Sequence, residues 1–494
     1  MSQKFLCAAS ALVLAGCVSQ PQMLTSAERS EFSTMVVHAA TADQEPVEGP
    51  IGMHEAMARA LKYNLDHRVA MIETSLATND FELSRYDMLP QLVANTGYFG
   101  RDNEPGASSI SLLSGRQSLE PSRSTEQYYF GSDITMSWNV LDFGLSYIRS
   151  KQLGDEALIA EERRRKAINE IMQDVRSAYW RAASAERLSQ ELATIKIDVE
   201  KAYDDSKLQF AARRTEPLSA LTYQRELTEI RAEAQALELE LISAKRRLAR
   251  LMNLPAGQEF EVILPDRSDA PANIDISLAD AVELALDNRP EVREAAYRVR
   301  ISDQEFTKAL VEALPSVDLY SGFHNDSNDL LFNEDYLQFG AKASWNLLKV
   351  FQTPHRRQRA KVQGELERQR AYATAVAVSS QVHLGMVRYS KLLEALDTAQ
   401  EAHEVQTNIL SQIRLGAEVG RVSRQTLVRE RMNQIVAEAR YDIAYADTQE
   451  AFAQLYAAMG YDPFSAHTET DENVKTVAQT LSELWGSRAG QPPE

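Results

Sequence analysis

Two stretches of this chain repeat one another at fixed distances, and an internal duplication restricts the possible folds more than any other feature of the sequence. Ala56, Ala60, Leu61 and the run Met88-Leu89-Pro90 have counterparts in Ala281, Ala285, Leu286 and Ala313-Leu314-Pro315, all 225 residues later. Ser137-Trp138-Asn139 and Met252 find theirs in Ser344-Trp345-Asn346 and Met459, 207 residues later. The spacing shrinks by 18 residues between Pro90 and Ser137, so the first copy carries one insertion there, in the Ser/Gly/Pro-rich stretch 101–127. The copies occupy 51–265 and 276–463.

Each copy follows one plan. A short helix (about 52–89 and about 277–314) ends at Leu-Pro, and is followed by a strand, a loop, a second strand ending at Trp-Asn, and two long helices. The β-hairpins are expected over 91–140 and 316–347, and the helical hairpins over 146–252 and 356–459. In the second strands, Phe130, Ser132, Ile134, Met136, Trp138 and Val140 alternate with Gly131, Asp133, Thr135, Ser137 and Asn139. Leu337, Phe339, Ala341, Ala343, Trp345 and Leu347 alternate in the same way with Gln338, Gly340, Lys342, Ser344 and Asn346. Period two sends one set to each face, which suits a lipid-facing barrel strand and equally a half-buried strand of a soluble sheet. Trp138 and Trp345, at the ends of both runs, favour the barrel, where aromatic residues gather at the membrane interface. Four strands cannot close a barrel, so a barrel requires several copies of the chain.

From Ser146 to Phe210 there is no proline, which allows a helix of about 65 residues and about 100 Å. Its return arm starts near Pro217 and carries Leu227, Ile230, Ala234, Leu237, Leu241, Ala244, Leu248 and Leu251 at spacings of three and four. Ile168, Ile171, Val175, Ala178, Ala182 and Ala185 match this on the outgoing arm. Such a seam pairs long helices.

The remaining features narrow the function. Phe5 to Ala15 is an apolar run of signal-peptide length, too short to span a bilayer as a helix, so 1–16 is expected to be a removed signal. Leu14-Ala15-Gly16-Cys17 resembles a lipobox, which would make Cys17 the lipidated first residue of the mature chain. Cys7 lies in the removed segment, so no disulfide is expected. A net charge of −18 argues against a nucleic-acid partner. No later run of 18 apolar residues occurs, which leaves β-strands as the membrane-spanning parts. His54-Glu55 starts like a zinc protease motif, but Ala58 stands in the second histidine's place, and no phosphate loop or nucleophile elbow is present. No catalysis, metal or cofactor is expected beyond the covalent lipid.

With lipobox, duplication, strand pairs and long hairpins assembled, the chain resembles the TolC-like outer membrane factors, in particular their lipoprotein members. The resemblance covers nearly the whole mature chain. It implies a mainly α fold with a membrane β-barrel: four strands per protomer, a homotrimer with a twelve-stranded barrel in outer-membrane lipid, and an α-helical barrel continuing into the periplasm. Segments 17–50 and 464–494 would be periplasmic, with Val474, Val477, Leu481 and Leu484 marking a short amphipathic helix. The partners implied are a periplasmic adaptor and an inner-membrane pump, and the role a passive exit duct for small molecules. Type I protein secretion and a lipid-anchored coiled-coil scaffold are the alternatives.

The family closes its tunnel at the hairpin tips, around a glycine, a serine and an acidic residue. Here Gly420 and Ser423 match, while Thr426 stands where an aspartate is usual, so an acidic cation-binding ring is not carried over. The tips are instead rich in arginine. Arg213, Arg214, Arg414, Arg421 and Arg424 are expected to pair with Glu216 and Glu418, or to meet the adaptor. The basic runs Arg163–Lys166 and His355–Arg359 are read as helix-surface charges near the periplasmic face of the membrane, with anionic headgroup contact as an extra.

Overall fold

The computed structural model describes residues 22–42, 44–118, 120–212, 216–264, 274, 276–461 and 472–488. Cys17, Arg213 and Arg214 lie outside the described residues, as do the side chains of Arg424 and of 485–488. Helix α1 (Ser26–Thr41) opens with a capping box between Thr25 and Glu28 and buries none of its residues.

The two copies then match element for element. The first has α2 (Met53–Tyr63), α3 (Leu65–Ser84), β1 (Gln91–Gly100), β2 (Tyr128–Asn139), α4 (Val140–Ala211) and α5 (Pro217–Leu251). The second has α6 (Leu278–Asn288), α7 (Pro290–Val311), β3 (Ser316–Asp326), β4 (Asp335–Ser344), α8 (Leu347–Glu418) and α9 (Arg424–Ala458). Helices α4 and α8 both have 72 residues, and α5 and α9 both have 35. At about 1.5 Å per residue, 72 residues reach about 110 Å. After the return arms, Asn253 and Gly460 hold equivalent places, and both adopt positive φ (58° and 75°).

Three boundaries differ from the sequence expectation, each for a local reason. The single helix expected over 52–89 is two, because Asn64 is extended and its Oδ1 accepts from the Asp66 and His67 amides, starting a second helix. In the second copy Pro290 takes the first helical position and excludes Arg289 from the helix. The strands stop at Asn139 and Ser344, before Val140 and Leu347, because Asn139 and Asn346 cap the next helix through their side-chain oxygens. The long helices therefore begin at 140 and 347 rather than 146 and 356, and α8 runs straight through Pro354.

The strands form one antiparallel sheet in the order β1-β2-β3-β4, with β1 and β4 as open edges. Below it the long helices form a single layer. Nearest the sheet the neighbours run α3, α4, α7, α8; farther down they run α5, α4, α9, α8. The residues of the expected seam are buried on both arms, except half-buried Leu237, and build a core that also takes Val428, Met432 and Ile435 from α9. Helix α10 (Val474–Arg488) lies against α2, with Val474, Val477 and Leu481 in the core around Met57 and Leu61.

Candidate duct wall and hairpin tip

In the sheet, residues directly opposite one another share a face. Leu92, Phe130, Ile134, Met136, Phe323, Leu337 and Phe339 share one face and are exposed in the protomer. The other face is polar: Asp133 accepts from Asn95 Nδ2 (3.1 Å) and Thr135 Oγ1 (2.9 Å), and Asp318 accepts from Asn139 Nδ2 (2.6 Å). An exposed apolar face opposite a hydrogen-bonded polar one is the pattern of a barrel wall between lipid and water. Trp138 lies on the apolar face, edge-on to Phe143 at 5.5 Å. Trp345 sits just past β4, exposed, with its Nε1 donating to the Ala313 carbonyl (3.2 Å). The inserted loop carries the pairings Ala107–Ser122 and Ile110–Gln117, and its tip exposes Leu112 and Leu113 completely.

One face of the helical layer holds a trough of about 710 Å³ that takes side chains from α3, α4, α7 and α8 together. Arg149, Glu156, Arg163, Arg298, Glu305 and Lys308 line it, so this stretch of wall is charged with both signs. Here the two copies are tied by ion pairs. Buried Asp155 accepts from Arg300 and from Gln304 Nε2 (3.0 Å), Arg163 meets Glu294 (2.9 Å), and Lys166 meets Glu291 (3.6 Å). Burial works against the Glu294 charge, but hydrogen bonds from Arg163 and Arg298 outweigh it and hold the carboxyl below its usual range. The run Arg163–Lys166 is thus not a membrane-face cluster. It lies about 35 Å down α4 and joins α4 to α7.

Farther down, α9 is joined to the first hairpin by a second series. Arg181 meets Asp447 (3.2 Å), Arg187 meets Asp442, Arg431 meets Asp198, and Glu226 accepts from Gln425 (2.9 Å) and Arg429 (3.2 Å). Burial raises the Glu430 carboxyl, but hydrogen bonds from Gln406, Asn433 and Arg429 prevail and lower it.

At the tip of the second hairpin the backbone turns on Gly420, in left-handed conformation with φ 70°. The Arg421 and Val422 amides close back on the Gly416 carbonyl (2.8 and 3.2 Å). A Cβ at Gly416 would come within 2.6 Å of the Val422 Cγ2, so any larger residue there would force the Val422 side chain to shift. Ser423 is the N-cap of α9, its Oγ accepting from the Thr426 amide (3.1 Å). The glycine and serine of the tip pattern are therefore a helix stop and a helix start.

Of the expected tip pairs, Glu216 accepts from Ser219 Oγ (3.2 Å), while Glu418 and Arg421 make no ion pair with each other. The cross-links found instead use Glu226, Gln425, Arg429, Arg431 and Asp198, which flank the apolar seam. Their signal in the sequence is opposite charge beside seam positions on different helices, readable only once α9 is known to lie against α4. No cluster of three or more His, Cys, Asp or Glu able to hold a metal occurs among the described residues.

Comparison with known proteins bears on this geometry. Residues 281–461 match the sequence profile of a family described as Outer membrane efflux protein. The second copy is thus similar to the outer membrane efflux proteins. Among relatives, a probable outer membrane lipoprotein SilC of Salmonella typhimurium is 22% identical over 303 residues, 60% of each chain. Nodulation protein T of Rhizobium leguminosarum bv. trifolii is 24% identical over 62% of this chain and 64% of its own. The chain thus spans under two thirds of the length of these relatives. The fold of the chain matches the CmeC outer membrane channel of Campylobacter jejuni with a TM-score of 0.65 at 14% identity, over 94% of this chain and 98% of that one.

Proposed function

We propose that this chain is one protomer of a homotrimeric, non-enzymatic exit duct in the outer membrane, anchored by lipid on Cys17, that passes small molecules outward. The observation that carries this reading is that the sheet and the helical layer are left open along the same two flanks. Edge strand β1 continues from α3, and edge strand β4 leads into α8, which also ends the helical layer. Along α3 the exposed Leu65, Val69, Ile72 and Leu76 form a stripe at helical spacing, and along α8 Val362, Leu366, Tyr372, Val376 and Leu384 form another. Flank against flank, the β4–α8 side of one copy would cover the β1–α3 side of the next, a heterologous contact that repeats until a ring closes. Three copies pool twelve strands, above the minimum of about eight for a barrel.

The helical tunnel extends about 110 Å from the barrel, and its tips are where a periplasmic adaptor and an inner-membrane pump would dock. Negative-stain microscopy of the detergent-purified protein tests the reading. The expected particle is threefold, long and hollow, with a detergent belt at one end. A monomer or thin rod without a belt would refute it in favour of a lipid-anchored coiled-coil scaffold.

A further inference from the structure

A cavity of about 850 Å³ opens between α7 and α8 immediately below Trp345. Its part near the sheet is apolar, walled by Trp345, Ala313 and Val350, and its far part is cationic, walled by Arg357, Lys361 and Arg368 around Phe306.

Helical phase shows which side of the wall it opens on. Lys361 and Arg368 share a seven-residue repeat with Val382 and Tyr389, which are buried against Ala281 and Ala285 of α6. The trough takes Gln363 and Glu367 from the other side of α8. The cavity therefore opens on the face of the layer that carries α6, opposite the trough, and in the proposed ring this is the outer face. The free stripe around Val362 and Val376 is turned about 60 to 100° from Lys361 round the helix.

The charges are unequal. Arg368 is paired with Asp303 at 2.9 Å. Arg357 lies over the Phe306 ring at 5.9 Å, and neither it nor Lys361 has an ion-pair partner among the described residues. Four residues apart, the two side chains stand one above the other and lean toward the helix N-terminus, which is the sheet side. The apolar part is continuous, past Trp345, with Leu337 and Phe339 on the exposed face of β4.

Apolar wall above, two uncompensated cations about 10 to 16 Å farther along the helix than Val350, and an interfacial tryptophan at the rim match the order of acyl chain and phosphate in a phospholipid leaflet. We infer that this cavity seats an anionic phospholipid of the periplasmic leaflet, its phosphate held by Arg357 and Lys361 and one acyl chain lying along Trp345 and Val350. The inference rests on the proposed barrel.

Native mass spectrometry of the detergent-purified oligomer, with phosphatidylglycerol or phosphatidylcholine of identical chains, tests it. The wild type should retain phosphatidylglycerol in preference to phosphatidylcholine, and excess inorganic phosphate should leave the lipid in place. The double variant Arg357→Ser, Lys361→Ser should weaken retention by about thirtyfold, each juxtamembrane cation being worth about 1 kcal/mol. Arg359→Ser, exposed on the same helix but outside the cavity, should change nothing. Equal retention of the two lipids, equal retention by wild type and double variant, displacement by phosphate, or an equal loss in Arg359→Ser would each overturn the site. Loss of the barrel reading has a separate signature, a particle without a detergent belt.

Discussion

Replacing Ile72 with aspartate should separate folding of the protomer from its assembly. Ile72 keeps 67% of its surface in the protomer, so the substitution touches no core and the isolated chain should fold as before. Fully burying an isoleucine is worth about 1.5–3 kcal/mol, so covering the two thirds still exposed would contribute about 1–2 kcal/mol at each interface. A closed ring of three repeats this three times, giving about 3–6 kcal/mol, before the cost of burying a carboxylate against α8 of the next copy is added. In association terms that is a loss of at least about a hundredfold to ten-thousandfold. Mass photometry across a dilution series should show wild-type trimers at concentrations where Ile72→Asp is monomeric, while circular dichroism shows equal helix content. A variant trimer as resistant to dilution as the wild type would refute the flank-to-flank arrangement.

Other substitutions probe the joints within the protomer. Gly460→Ala should cost at least about 2 kcal/mol, seen as a lower thermal midpoint, because φ is positive there and the new Cβ would lie 2.9 Å from the Arg289 amide nitrogen. Asn253→Gly, at the equivalent turn of the first copy, should lose instead the hydrogen bond from its Nδ2 to the Ala40 carbonyl and loosen α1, read as faster proteolysis of the N-terminal segment. Asp155→Leu strands Arg300 and Gln304, and since Arg300 is half exposed the loss should be about 1–3 kcal/mol rather than that of a fully buried pair. Glu291, Glu294, Glu305 and Glu430 all have carboxyls held below the ordinary value of 4.5 when folded. They stabilise the fold above that pH, and the contribution is lost as pH falls below it. The thermal midpoint should drop between pH 5 and pH 3, less steeply in Glu294→Gln, and an unchanged slope in that variant would remove Glu294 from the account.

Periodic features could be read from the sequence, and features made by contact between distant segments could not. The seam from Leu227 to Leu251 and the faces of β2 and β4 follow from spacings of three to four and of two, which any stable packing of such a chain must respect. A Trp-Asn pair at the end of an alternating run reads as more strand and puts the expected helix starts late, although Asn139 and Asn346 are good caps by residue type. Pro354 likewise reads as a barrier to helix until the helix is seen to continue through it. The tip was half legible. Gly420 and Ser423 were singled out and prove to be turn and cap, but the charges that join the hairpins, such as Glu226 with Arg429, are about 200 residues apart. Nothing local marks such partners. Arg163–Lys166 misled for the same reason: a basic run has no visible function until Glu291 and Glu294 are laid beside it.

The change from strand to helix at Asn139 takes place within one residue, which closes the ladder toward Asp318 and at the same time caps the following 72-residue helix. Asn346 makes the same single-residue change at the head of α8. A shaft joined this way to its socket has no universal joint. If the far ends of the hairpins twist, the torque cannot be relieved by swivelling at the membrane and must be taken up along the shaft, as a small change of supercoil in each turn. Opening such a duct would then resemble unwinding a rope from its free end while the other end stays clamped.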